Sequence, residues 1–290
     1  MDQNVQFAQF ERIVQLMEWQ RYQEAIREAE SYLRDYPEDA DGYGILSKIY
    51  YLADDYEKAM NWSMEALKID PENALGWEVR AGTLYVQEKW KEALAAVEEA
   101  MAIYPEEGYF YLVAGNIYNQ KGKHAKAKEM FQTLLSLEPH EALYLANYSY
   151  TVSLLGEKEI SREAEQQALE NNPNDPEVFM YVAWAADQRG DYESALRYME
   201  NAVRLDPGRP QFRTEYLLIL QKQFKVYRFF LAPAKILAGI KPIYALLIWF
   251  IAWFVFKPLV VVFLVLYIAA HWITKMIVNL KVFGKLFVKA

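Results

Sequence analysis

"YLVAGNIYNQKGKHAKAKEMFQTLLSLEP" spans residues 111–139 and sets the reading of the chain before it. Small and aromatic side chains, among them Ala114, Gly115, Ala127 and Phe131, lie on both sides of a turn-forming break, "QKGKHAKA", and the run stops at Pro139. The local expectation is two helices joined by a turn and ended by a proline.

That proline is one mark on a ruler. Pro37, Pro71, Pro105, Pro139, Pro173 and Pro207 stand 34 residues apart. With 11 prolines in 290 residues, five equal steps in a row have chance odds of roughly one in ten million, so the spacing marks an internal repeat. Phrases such as "EALKIDPENA" and "NAVRLDPGRP" each read as a helix end, a stop and a new start. Other columns line up on the ruler. One holds Ala25, Ala59, Ala93, Ala127, Ser161 and Ala195; a second holds Tyr32, Ala66, Ala100, Leu134, Ala168 and Ala202. A third holds Tyr22, Tyr56, Trp90, His124, Lys158 and Tyr192. Small residues at fixed helical positions let two helices approach closely, and neighbouring aromatics fill the space beside them.

This pattern resembles the tetratricopeptide-repeat (TPR) family: 34 residues per unit, two antiparallel helices and an Ala/Ala/Pro skeleton. The likeness covers about residues 6–207, six repeats, and is fullest where Tyr111, Ala114, Gly115, Tyr118, Ala127, Phe131 and Pro139 match. The first repeat lacks the leading Trp and Leu-Gly, and Ser161 replaces the first Ala of the fifth. The resemblance implies an all-α fold, a right-handed superhelix (an α–α solenoid) with a concave groove lined by the first helix of each repeat. Repeats touch only their neighbours, so the ends need capping. The expected division is a six-repeat domain at 1–207 and a capping helix with basic linker at 208–235, a seventh first helix without its partner.

The remainder has a different composition. The chain carries a net charge of -8, but residues 1–207 hold 19 Lys and Arg against 38 acids, while 208–290 hold 12 against the single acid Glu215. Two segments facing two surroundings are implied. Pro242–Phe256 and Pro258–Thr274 are uncharged runs interrupted by Lys257. Extended to Ile236–Phe256 and Pro258–Val278, each has 21 residues, about 31 Å as helix. One continuous helix would place Lys257 at the bilayer centre, at a cost of about 3 kcal/mol. A hydrophobic helical hairpin at 236–278, transmembrane or re-entrant, with Lys257-Pro258 at its tip, is therefore expected. Trp249, Trp253, His271 and Trp272 are its candidate membrane contacts. Basic residues flank it on both sides, which puts the N-terminal domain and the C-terminus in the cytoplasm. The tail at 279–290, with Lys281, Lys285 and Lys289 among Val, Leu and Phe, reads as a basic amphipathic segment on anionic lipid. The N-terminus has no basic n-region followed by an apolar h-region, so a cleaved secretion signal is not expected.

Chemistry is sparse. The chain has no cysteine and three histidines. No HExxH, phosphate loop or GxSxG occurs, so no enzyme, metal, cofactor or small-molecule substrate is expected. His124 sits in an aromatic packing column, and an acidic repeat domain repels nucleic acid. The repeat register instead points to a groove. Successive repeats place Val14, Lys48, Gly82, Asn116, Tyr150 and Trp184 at one groove position; Met17, Tyr51, Tyr85, Asn119, Ser153 and Asp187 take the next. Phe10 and Tyr181 fall alongside. The family's carboxylate clamp would use Asn116 and Asn147, but Leu112, Glu177 and Tyr181 stand where its basic partners would be. The remaining candidates, Phe10, Tyr51, Tyr85, Asn116, Asn147, Tyr150, Tyr181 and Trp184, suit a protein or peptide segment with apolar side chains and room for basic ones. The expectation is a membrane-anchored adaptor that recruits a partner through this groove. The alternative is a non-catalytic subunit of a membrane complex, with the hairpin packed against partner helices.

Overall fold

The structure, a computed structural model, describes residues 2–238 and 242–286. The segment at 239–241 (with Lys241), the tail beyond 286 (with Lys289) and the side chains of Trp249 and several neighbours lie outside the described residues. Among the described residues all regular structure is helical, and consecutive helices pack as the pairs of a repeat solenoid. The chain divides into two compact units, Met1–Tyr144 and Leu145–Ala290.

The first unit holds α1 (Asp2–Glu18), α2 (Tyr22–Asp35), α3 (Ala40–Leu52), α4 (Tyr56–Ile69), α5 (Ala74–Val86), α6 (Trp90–Ile103), α7 (Gly108–Gln120), α8 (His124–Leu137) and the start of α9 (Ala142–Leu154). Each first helix packs on its own second helix and on the next first helix. The small-residue columns explain why. Ala25, Ala59, Ala93, Ala127, Ala66 and Ala100 are all 0% exposed, so the helix pairs cross where a larger side chain would hold them apart. Around these crossings Ile13, Leu46 and Ile49 fill one cluster and Val97, Phe110 and Ile117 the next.

Helix ends repeat too. Asp39, Asp55, Asn73 and Glu107 cap their helices by accepting hydrogen bonds from free backbone N–H groups. At the far ends Tyr36, Asp70, Tyr104 and Glu138 each donate a backbone N–H to the carbonyl four residues back, and the ruler proline follows.

The second unit continues with the rest of α9, α10 (Lys158–Asn171), α11 (Pro176–Arg189), α12 (Tyr192–Leu205), α13 (Pro210–Lys222), α14 (Lys225–Ala238) and α15 (Pro242–Phe283). Here Ser161 departs from the alanine column and the structure shows its use. Ser149 Oγ donates to the Ser161 carbonyl at 2.7 Å and Ser161 Oγ to the Ser149 carbonyl at 2.8 Å, so the two helices exchange hydrogen bonds at the crossing. Arg189 reaches the same serine and pairs with Glu165, which also accepts from the Tyr198 hydroxyl at 2.9 Å. The buried guanidinium bonds through its two terminal nitrogens, both Glu165 oxygens accept, and Arg189 Nε has no partner among the described residues.

Two expectations fail at the C-terminal end. The lone capping helix is followed by a second helix, α14, where a linker was expected. The apolar hairpin with its turn at Lys257-Pro258 is instead one 42-residue helix, α15, with Pro258 inside it. The physical reason is local. A proline removes one N–H from the helix ladder, whereas a reversal would strip partners from several carbonyls and N–H groups at two helix ends. The second half of α15 presents one stripe, Val260, Phe263, Tyr267, Ala270, Thr274 and Val278, that is buried or half-buried, and α15 packs on α13 and α14. Phe230 meets Phe263 at 5.4 Å between ring centroids, and the Tyr227 hydroxyl lies 3.3 Å from His271 Nδ1. Val260–Phe283 is long and apolar enough to cross a membrane, with 17% of its most apolar window buried.

The turn inside each repeat places one residue in the left-handed region: Gln20 (φ 58), Asp54 (φ 60), Glu88 (φ 57), Gly122 (φ 67), Gly156 (φ 80) and Gly190 (φ 85). These too stand 34 residues apart. Only the last three use the residue that adopts this conformation without cost. Replacing Glu88→Gly is expected to raise stability by about 1 kcal/mol and Gly122→Ala to lower it by about the same. Urea unfolding of the full chain in detergent, followed by circular dichroism, checks both.

His124 tests the packing column by pH. Its Nδ1 lies 3.3 Å from Asn119 Oδ1, and burial lowers its pKa from the ordinary 6.5. The unfolded chain therefore binds the extra proton more readily, and this site loses stability as pH falls through 6.5. His124→Tyr, which restores the column's usual residue, is expected to unfold at a temperature increasingly above wild type as pH is lowered from neutrality to about 5; paired thermal melts measure the gap.

Candidate peptide-binding site

In the first unit the site is built on α3, α5 and α7. Tyr51 meets Tyr56 edge-on at 5.9 Å, and Tyr85 meets Trp90 edge-on at 5.4 Å. The same five-residue step joins Asn119 to His124. Each of these groove side chains therefore leans on the first residue of its own second helix, which orients it. Gly82 occupies a column filled by larger side chains in most other repeats. A Cβ there would lie 2.6 Å from Tyr109 Oη and 3.1 Å from Tyr51 Oη, so the missing side chain makes room for two phenols. Lys48 pairs with Glu78 and lies 5.8 Å from the Tyr51 ring centre. Burial pushes the Tyr85 phenol up, with Tyr51 adding to it, and burial pushes Tyr109 well above its ordinary value. Both stay neutral donors. Asn116 is half-buried on α7. Phe10 lies apart from these residues, on α1, where it packs edge-on against Tyr32 at 5.9 Å beside a cavity of 280 Å³ lined also by Gln6 and Asp39.

In the second unit three expected residues come together. Trp184 lies 5.2 Å from Tyr181 and 5.6 Å from Tyr150, and the two tyrosines are 6.4 Å apart. The Trp184 indole N–H donates to Glu215 Oε2 at 2.9 Å, which fixes the ring from α13. Asp187 sits one turn further along α11 and holds Lys222 at 2.5 Å. Asn147 does not join this surface. It is 1% exposed, inside the helix packing. Glu177, at a position where the family's clamp would have a basic residue, pairs with Arg209 at 2.6 Å.

Of the membrane candidates, Lys257 and Pro258 are exposed on α15, with Lys257 Nζ 5.5 Å from the Trp253 ring centre. Trp253 is 43% and Trp272 51% exposed, while His271 is half-buried against Tyr227. The repeat register placed Glu78 in the groove column of Phe10, and the sequence did not point to Tyr109, Glu215 and Lys222 as parts of the sites. Glu215 carried a signal, being the one acid after residue 207. The others gave none, because each reaches a neighbouring repeat through space.

Residues 18–100 match the family model for subunit 3 of the anaphase-promoting complex, cyclosome; residues 109–141 and 155–210 match tetratricopeptide-repeat models. Comparison with curated proteins found no match. Among solved structures, the chain is similar to PilF of Pseudomonas aeruginosa, with 21% identity over 77% of this chain and 99% of that one, TM-score 0.61. It is similar to PilW, titled a widely conserved type IV pilus biogenesis factor, with 18% identity over 72% and 97%, TM-score 0.60. A third is the Cut9–Hcn1 tetramer of the APC/C, with 16% identity over 80% of this chain and 46% of that one, TM-score 0.64. At these identities the likeness lies in the fold.

Gly82→Val is expected to drive the Tyr51 and Tyr109 hydroxyls off the α5 backbone and destabilise the first unit by about 1–3 kcal/mol. Denaturant unfolding checks the magnitude; an unchanged midpoint would mean that the phenols do not crowd this backbone.

Proposed function

Because the chain belongs to the tetratricopeptide-repeat family, we propose that it is a membrane-anchored adaptor that recruits a protein or peptide partner to the cytoplasmic face of a membrane. The observation that carries the anchor is α15. Phe250, Phe254, Val262 and Val265 are 57–81% exposed on a helix with no acidic residue, an apolar surface far too continuous for water. Lys225, Arg228, Lys275 and Lys281 lie on or beside it and suit anionic headgroups. Recruitment is supported by the aromatic surfaces of both units, where phenols and an indole are held by neighbours and need little ordering on binding. Confinement to a surface raises the effective concentration of any partner in the same membrane.

A second reading, a non-catalytic subunit of a membrane complex, is favoured by Lys257. An exposed charge in the middle of an apolar helix calls for a partner unless it reaches the headgroups. In that case α15 would pack against partner helices. The likeness to PilF and PilW is compatible with either reading and assigns no pilus role.

Fractionation separates these readings from a soluble protein. The full chain is expected in carbonate-washed membranes, and a chain ending at Phe224 in the soluble fraction. Recovery of the full chain as a soluble monomer without detergent would overturn the anchor. Lys257→Leu is expected to leave membrane retention intact if lipid is the only neighbour, and to break up a detergent-stable assembly if the second reading holds.

A further inference from the structure

We propose that the platform formed by Tyr150, Tyr181 and Trp184 with Glu215 is a receptor for an arginine side chain of the partner. This rests on the reading of the chain as a peptide-binding adaptor and names the chemistry that one of its surfaces selects.

Three observations carry it. The first is the arrangement of rings. The three centroids lie within 5.2–6.4 Å of one another, no pair is stacked face to face, and all three side chains are half-buried, so part of each ring reaches solvent. An aromatic face attracts a cation through its quadrupole, and tryptophan does so most strongly.

The second is the state of the carboxylates. Asp187 is already neutralised by Lys222 at 2.5 Å, and Glu177, one turn before Tyr181, by Arg209 at 2.6 Å. Glu215 differs. Its Oε2 accepts from the neutral Trp184 indole at 2.9 Å, and among the described residues no Lys or Arg lies within ion-pair distance of it. It is therefore a half-buried carboxylate, aligned by the platform itself, whose charge is uncompensated. Elsewhere in the second unit a buried carboxylate such as Glu165 is matched by an arginine.

The third is the local field. Burial pushes the Tyr150 phenol up, and the charges of Asp187 and then Glu215 add to it; with Lys222 offsetting Asp187, Glu215 is the net negative charge left beside that ring. Together the surroundings favour positive charge. A guanidinium fits better than an ammonium, because its plane can lie on a ring while its edge donates two hydrogen bonds to a carboxylate. Lysine would satisfy only one of the two geometries at a time.

The test uses the full chain in lipid nanodiscs and a phage-displayed library of random nonapeptides. Arginine is expected to be enriched at one fixed position of the selected peptides. A selected peptide resynthesised with citrulline in that place, neutral and of the same shape, is expected to bind about tenfold more weakly. Glu215→Gln keeps an oxygen for the indole and is expected to show the same tenfold loss for the arginine peptide, with no further loss for the citrulline peptide. Trp184→Phe, with circular dichroism as the check on folding, is expected to weaken arginine selection as well. Selected peptides without arginine enrichment, or an arginine-to-citrulline penalty unchanged in Glu215→Gln, would overturn this assignment while leaving the adaptor reading in place. A wild-type chain that selects no peptide would overturn both.

Discussion

The whole repeat architecture depends on contacts at which a side chain is nearly missing. At the crossings of the paired helices stand alanines with no exposed surface, from Ala25 through Ala195. Two backbones can approach there because nothing larger than a methyl group separates them. All else in each repeat is built around that distance: the aromatic residue that opens every second helix except α10, which starts at Lys158, the turn with its one left-handed residue, and the proline that forces the next pair to start. Where the column departs from alanine, at Ser161, the close approach survives because two serines exchange hydrogen bonds with each other's backbone.

The aromatic surfaces are a by-product of the same geometry. A first helix buries one side against its partner and its neighbours, and the side left over carries the residues that recur at the groove positions. In the first unit Tyr51 and Tyr85 lean on Tyr56 and Trp90. The edge that packs fixes the orientation of each ring. In the second unit the same logic passes through Glu215, which reaches from α13 to hold Trp184.

The end of the chain follows different physics. α15 has no column of small residues and no acid, and one stripe of its second half lies against α13 and α14. Its remaining apolar surface is the strongest argument for a lipid or protein neighbour. Pro258 was a poor guide here. A single interior proline costs one ladder bond and a clash with the carbonyl four residues back, whereas a reversal leaves several backbone groups unpaired at two helix ends.

The sequence by itself determined the repeat: the 34-residue proline spacing, the small-residue columns and the turn residues are local, periodic and almost independent of context. It also determined that residues beyond 207 differ in charge and hydropathy. Only the tertiary structure decided which groove residues meet. Asn147 and Tyr150 are three positions apart on one helix, yet the first is buried and the second joins Trp184. Gly82 reads as a blank until Tyr109 and Tyr51 are seen to arrive over it from neighbouring helices. The reason is one of range. Helix spacing and turn chemistry act between residues a few places apart and are written in the order of the chain, whereas a site is made by side chains about 30 positions apart whose distance is set by how one repeat packs on the next.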